Sequence, residues 1–237
     1  MLGVVQIVDQ RSRLVVWHGA GGVPPGGAKP HVVERLEPQA TTVRAERDEE
    51  IVAQGEAAEH CYLVVSGCVR TVNLMEDGRR QIGEFLFFGD LFGWETRDEH
   101  EFAAEAVTQV TLRRYTRRSL EAIADRDRDF ARRMRDLTAG QLRAGREGMV
   151  LLGRKTASER IASFLLEVAR RMNPDDRTLI ELPMGRADMA DYLGLTIETV
   201  CRGLTQLRRH GTIAVERARI MIYDRSAPGI AGCSVAH

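Results

Sequence analysis

Glu198, Thr199, Cys201, Arg202 and Thr205 share a short stretch with Ile197, Val200, Leu204 and Leu207, which recur at three- and four-residue steps. The apolar set marks the buried face of a helix, and the polar set lies outside it. These polar groups suit partners that present flat hydrogen-bonding edges. Arginine donates in bidentate fashion to guanine, and glutamate accepts from the cytosine amino group. Glu198 and Arg202 stand four residues apart, so they share a face and reach adjacent base pairs. The same spacing also suits a solvated ion pair on an ordinary helix. The neighbouring elements must decide between the two.

Those elements read as a positioning scaffold. Met189, Ala190 and Leu193 are apolar at helical spacing, and Gly194 supplies a left-handed stop. Leu195 plugs the angle before the second helix, and Thr196 caps that helix by accepting from a free amide in its first turn. Two short helices joined this way form a helix-turn-helix, whose second helix enters the major groove with its first turns. Beyond it, Ile213 to Val215, a polar turn at Glu216-Arg217-Ala218, and Arg219 to Tyr223 predict a hairpin wing. Arg217 and Arg219 would there face phosphates.

The run from Ala187 to Leu207 resembles the recognition region of the Crp/Fnr superfamily of bacterial transcription regulators. It is most similar to the FixK-like branch, with its pattern D-I-A-D-Y-L-G-L-T-x-E-T-V-S-R. Met189 replaces the usual Ile, and Cys201 replaces the usual Ser, one of three base-contacting residues in that family. The other two, Glu198 and Arg202, are present. A thiol is a weaker hydrogen-bonding group than a hydroxyl and is open to oxidation. The resemblance, which extends over most of residues 31 to 225, implies a homodimeric promoter-binding regulator that recruits RNA polymerase, usually as an activator. Its site would be TTGA, a six-base spacer, and TCAA. Arg202 would donate to guanine, Glu198 would accept from amino groups opposite, and Cys201 would touch a thymine edge. Thr196, Thr199 and Arg186 would hold the phosphates.

Upstream the pattern changes. Short β-rich runs appear at 50–53, 61–65, 68–74, 81–87, 102–106 and 108–115, punctuated by Gly55, Gly67, Gly78 and Gly89. Regular short strands with turn signals predict a sandwich or barrel. Asp77-Gly78 is a tight-turn candidate. The runs Tyr62 to Arg70 and Phe88 to Gly93 resemble the superfamily's N-terminal β-roll, a cyclic-nucleotide-binding-like jelly roll. A long helix is expected over 118–152. Phe130, Met134, Leu137, Gln141, Ala144, Gly148 and Leu151 form a heptad seam in it, suited to a partner helix or to packing on the helix's own domain. The fold class expected is therefore α+β. It comprises a flexible N-terminal arm (1–30), the β-roll (31–117), a dimerisation helix (118–152), the winged helix-turn-helix (153–225) and a tail (226–237).

Other functions find little support. In the superfamily's nucleotide binders an Arg-Ser pair after Gly-Glu holds the phosphate. Here Asp90 stands in place of that Glu, no Arg-Ser follows, and Asp98, Glu99 and Glu101 would repel an anion. Arg97 is the one anion partner nearby. FixK-like members often lack an effector; a small ligand in the β-roll is the alternative. The four cysteines, Cys61, Cys68, Cys201 and Cys233, lack the clustered spacing that an iron–sulfur centre requires. No cofactor and no metal is expected. There is no P-loop, nucleophile elbow or metalloprotease motif, which argues against an enzyme. Lys+Arg and Asp+Glu both number 34, so overall charge does not point to nucleic acid. No run approaches the roughly 20 apolar residues of a membrane span, and no signal peptide is evident, so a cytoplasmic protein is expected.

Overall fold

The computed structural model describes residues 40–94, 98–172 and 179–223. The expected arm, the expected tail, Arg97 and Cys233 lie outside the described residues.

Eight strands come first: β1 (Thr41–Ala45), β2 (Glu50–Val52), β3 (His60–Ser66), β4 (Val69–Leu74), β5 (Arg80–Leu86), β6 (Leu91–Phe92), β7 (Ala103–Ala106) and β8 (Val110–Thr116). They form two antiparallel sheets, ordered β1-β8-β3-β6 and β2-β7-β4-β5. Alternation along each strand sends one set of side chains between the sheets. Tyr62, Val64, Val69, Leu86, Ala104 and Leu112 fill that interior. The four punctuating glycines all have positive φ, as their turn positions require. The turn at Asp77-Gly78 closes β4 onto β5, with Gly78 N–H donating to Met75 O at 3.0 Å.

The long helix expected over 118–152 is two helices, α1 (Arg117–Arg126) and α2 (Arg128–Arg154). Asp127 separates them. Its amide closes the last turn of α1 on Ile123 O, and its carboxylate accepts from Asp129 N and Phe130 N to start α2. A short acidic side chain that bonds its own backbone is what interrupts a helix here.

The expected seam is also split. Phe130 and Met134 are buried against Cys61, Leu63, Tyr115 and Leu120, and Leu137 packs beside them. This half of the stripe covers the outer face of the β1-β8-β3-β6 sheet. A heptad stripe specifies a buried face without naming the partner, and here the sheet is the partner. Leu142, Met149 and Leu152 are instead 59%, 75% and 38% exposed. With Gly145 between them they repeat at three- and four-residue steps, one position around from the expected seam.

The remaining elements are α3 (Ala157–Met172), β9 (Leu179–Glu181), α4 (Arg186–Leu193), α5 (Ile197–Arg209), β10 (Ile213–Glu216) and β11 (Arg219–Ile222). The hairpin β10–β11 is the expected wing, with β9 added on its far edge. Ile161, Leu165 and Val168 of α3 pack with Met189, Leu193, Val200, Leu204, Ile213 and Ile220. Helices α3 and α5 approach closely at Gly203, where a Cβ would collide with Ile161 Cδ1. Replacing Gly203 with Val is expected to overpack this contact and cost about 1–3 kcal/mol. A denaturant titration of the full chain measures it.

The core does not stop at the linker after α2. Val72, Ile82, Phe85 and Phe87 of the β4–β5 region belong to the same apolar cluster as α3, α4 and α5. Phe85, Phe164 and Tyr192 meet as three rings with centroids 5.4–5.9 Å apart. Such pairs contribute about 0.5–1.5 kcal/mol each beyond their buried area.

Candidate nucleic-acid interface

The geometry of α4 and α5 follows from three residues. Gly194 ends α4 at φ 60° and ψ 44°, the left-handed conformation that costs other residues most. Leu195 N–H then returns to Ala190 O at 3.0 Å, which tightens the turn, and its side chain packs on the core. Thr196 caps α5, its hydroxyl accepting from Thr199 N at 3.2 Å. Met189, Ala190 and Leu193 are buried, as expected, and so are Val200, Leu204 and Leu207. Ile197, expected in that buried stripe, is 47% exposed. It opens the first turn of α5, at the outer end of the helix, where nothing in the core extends to meet it.

The expected site residues on α5 come together. Arg202 donates to the Thr199 hydroxyl at 3.3 Å, and the Thr199 and Thr196 hydroxyls lie 3.0 Å apart. Glu198 sits in the first turn of the helix. Its own backbone amide and the Thr196 hydroxyl hold its carboxyl below the usual range, and Arg202 adds to this. It is therefore an acceptor at neutral pH. Cys201 and Arg202 are exposed side by side. The hydroxyl of Thr205 donates to Cys201 O at 2.8 Å, so it serves the backbone of the helix. Arg186 opens α4 half-buried and near Cys201. Burial lowers its pKa, and one of its donors reaches Met189 Sδ at 3.5 Å. The wing turn places Arg217 in a left-handed conformation at φ 55°, and Arg219 lies 3.5 Å from Glu181.

A helix-turn-helix with an exposed first turn on its second helix, followed by a wing, carries the features of a DNA-reading fold. Comparison with known proteins agrees. Residues 159–227 match the model of the Crp-like helix-turn-helix domain, and residues 42–127 match that of the cyclic nucleotide-binding domain. The nitrogen fixation regulation protein FixK of Azorhizobium caulinodans is 48% identical over 185 residues, 76% of this chain and 75% of its own length. The protein of the same name from Rhizobium meliloti is 41% identical over 170 residues, 72% of this chain and 76% of its own. The chain belongs to the Crp/Fnr family of transcription regulators, in its FixK-like branch. The structure of FixK2 from Bradyrhizobium japonicum superposes with a TM-score of 0.77 at 44% identity, covering 84% of this chain and 98% of that one.

Membership in the Crp/Fnr family sharpens the reading of Asp90. This residue, which replaces the family's Glu, is buried, and burial raises its pKa. Its Oδ2 accepts from Phe87 N at 2.6 Å and from Arg171 at the end of α3. Arg171 also donates to Phe85 O at 2.8 Å and lies over the Phe87 ring. The carboxylate thus faces a side chain of the same protein. Two further groups escaped sequence reasoning. Arg70 and Arg80 on the β-roll pair with Asp188 and Asp191 on α4. Arg160 on α3 donates to three main-chain carbonyls, those of Leu152, Lys155 and Leu193. The first group joins charges more than a hundred residues apart, and the second uses main-chain oxygens that no side-chain pattern marks, so only the fold could pair them.

Proposed function

We propose that this FixK-like protein is a homodimeric transcription activator that reads a palindrome of the TTGA-N6-TCAA type and recruits RNA polymerase. The observation that carries the reading is the ordered polar face of α5. Arg202 is held by Thr199, Thr199 is held by Thr196, and Glu198 is kept ionised beside them. Side chains organised before binding lose less freedom on contact with the base edges. Arg202 donates to guanine, Glu198 accepts from the amino groups opposite, and Cys201 meets a thymine edge. Thr196, Thr199 and Arg186 face the phosphates. The exposed stripe Leu142, Gly145, Met149 and Leu152 is the dimer seam.

The names of two relatives fit an activating role: the transcriptional activator protein FnrL of Cereibacter sphaeroides, 36% identical, and a probable transcriptional activator of Rhizobium leguminosarum, 37% identical. Among the described residues no helix is long and apolar enough to cross a membrane. We place the protein with its promoter DNA in the cytoplasm.

The test is an unbiased selection of binding sites on the purified full chain with no added effector. Enrichment of TTGA and TCAA half-sites around a six-base spacer is the expected outcome. Recovery of unrelated sequences, or of no sequence, would overturn the reading.

A further inference from the structure

The outer face of the β2-β7-β4-β5 sheet carries Arg70, Val72, Arg80 and Ile82 at alternating positions. The two apolar members join the core shared with α3, α4 and α5. The two arginines do something more specific. Asp188, in the first turn of α4, accepts from Arg70 at 3.1 Å and from Arg80 at 2.9 Å through the same oxygen. Its other oxygen accepts from Gly185 N at 3.3 Å, at the start of the helix. One turn on, Asp191 accepts from Arg80 at 2.5 Å. Gln81 donates to Tyr192 O at 3.2 Å, so the last turn of α4 is held as well. Arg70 is itself oriented by Glu105 at 2.7 Å and Asp48 at 3.1 Å.

Both Arg70 and Asp188 are buried. Burying charge is costly, and an apolar contact of the same shape often gives as much stability. What an ion pair adds is direction. Arginine's planar fork meets a carboxylate in few geometries, whereas apolar surfaces slide. The element held this way is the first helix of the helix-turn-helix, not a remote part of its domain.

We propose that Arg70 and Arg80 are positioning residues for DNA recognition. They fix the orientation of α4, and with it α5, on the β-roll. In the dimer that orientation sets the distance and angle between the two recognition helices, and hence the spacer length the protein accepts. The inference rests on the dimeric reading proposed above.

The experiment uses the full chain and three variants: Arg80→Gln, Asp191→Asn and the double variant. Both side chains are about 30% exposed, at the rim of the cluster, so the buried Arg70 and Asp188 stay paired. Affinity is measured for the selected palindrome, for palindromes with one base pair added to or removed from the spacer, and for a single half-site. One base pair moves a half-site by about 3.4 Å and rotates it by about a tenth of a turn. Each single variant is expected to lose about tenfold of the discrimination between the selected and the altered spacers. Half-site affinity is expected to stay unchanged, which a generally destabilised fold would not allow. The double variant is expected to lose no more than Arg80→Gln alone, because Arg80→Gln already removes the contact to Asp191 along with the one to Asp188. Unchanged spacer discrimination in the single variants overturns the proposal, as does an additive loss in the double variant. Failure of the unaltered protein to prefer any palindrome over a half-site refutes the dimeric reading instead, and so the two failures are distinguishable.

Discussion

Replacing Arg202 with Ala is expected to lower affinity for the selected site by about 1–3 kcal/mol, roughly 5- to 150-fold. The loss is specific. Preference at one guanine in each half-site should relax, while the other positions keep theirs. The physical basis is the bidentate fork, which matches two acceptors on guanine and leaves them unpaired when removed. Thr196 should still cap α5 and Glu198 should still accept, since the cap is made to Thr199 N and Glu198 is held by Thr196 and the backbone. A phosphate-contacting arginine would behave differently, weakening all sequences alike and flattening the salt dependence. Competition binding against single-base variants of the site separates the two. Uniform weakening would move Arg202 from the bases to the backbone.

Placing charges on the exposed stripe of α2, with Leu142→Glu and Met149→Glu together, is expected to give monomers. Operator affinity should then fall by about a hundredfold or more, because linked half-site binding is lost. The two half-sites lie about 34 Å apart, and a monomer occupies only one. Sedimentation together with binding to the palindrome measures both effects. Met134→Glu provides the contrast. Met134 is buried against the β-roll, so its charge should lower the melting temperature of the fold itself. Dimers that survive the Leu142 and Met149 changes would place the interface elsewhere.

The reading helix was legible in the sequence because its signals are local. Gly194, Thr196 and the three- and four-residue steps lie within a few residues of one another, and each acts on its own backbone. The glycine punctuation of the β-roll was legible for the same reason. Ile197 was misplaced because periodicity assigns a face but not the point where the core ends. The split at Asp127 was hidden because an aspartate inside a helical pattern reads as an ordinary surface residue. Strands β6 and β9, with two and three residues, are too short to show alternation. Of the expected α2 seam, Phe130, Met134 and Leu137 cover the sheet, whereas Gln141 and Ala144 stay exposed and Leu151 packs against the core of α3, α4 and α5. The stripe Leu142, Met149 and Leu152 stands out only from its exposure, which periodicity does not give. The clasp of Arg70, Arg80, Asp188 and Asp191 joins positions 108 to 118 residues apart and carries no pattern at all.

Arg160 ties the end of α2, the linker after it and the end of α4 together through three main-chain carbonyls. Main-chain oxygens are present whatever residue carries them. Positions 152, 155 and 193 are therefore free to drift in evolution as far as this junction is concerned, each constrained only by its own packing. Position 160 has no such freedom. Lysine offers a single ammonium on a flexible stem and cannot span three acceptors in a fixed plane. Selection on the joint between α2 and the helix-turn-helix thus falls on one codon. Among FixK-like sequences, variation at the three acceptor positions should coexist with an unvarying arginine at the donor.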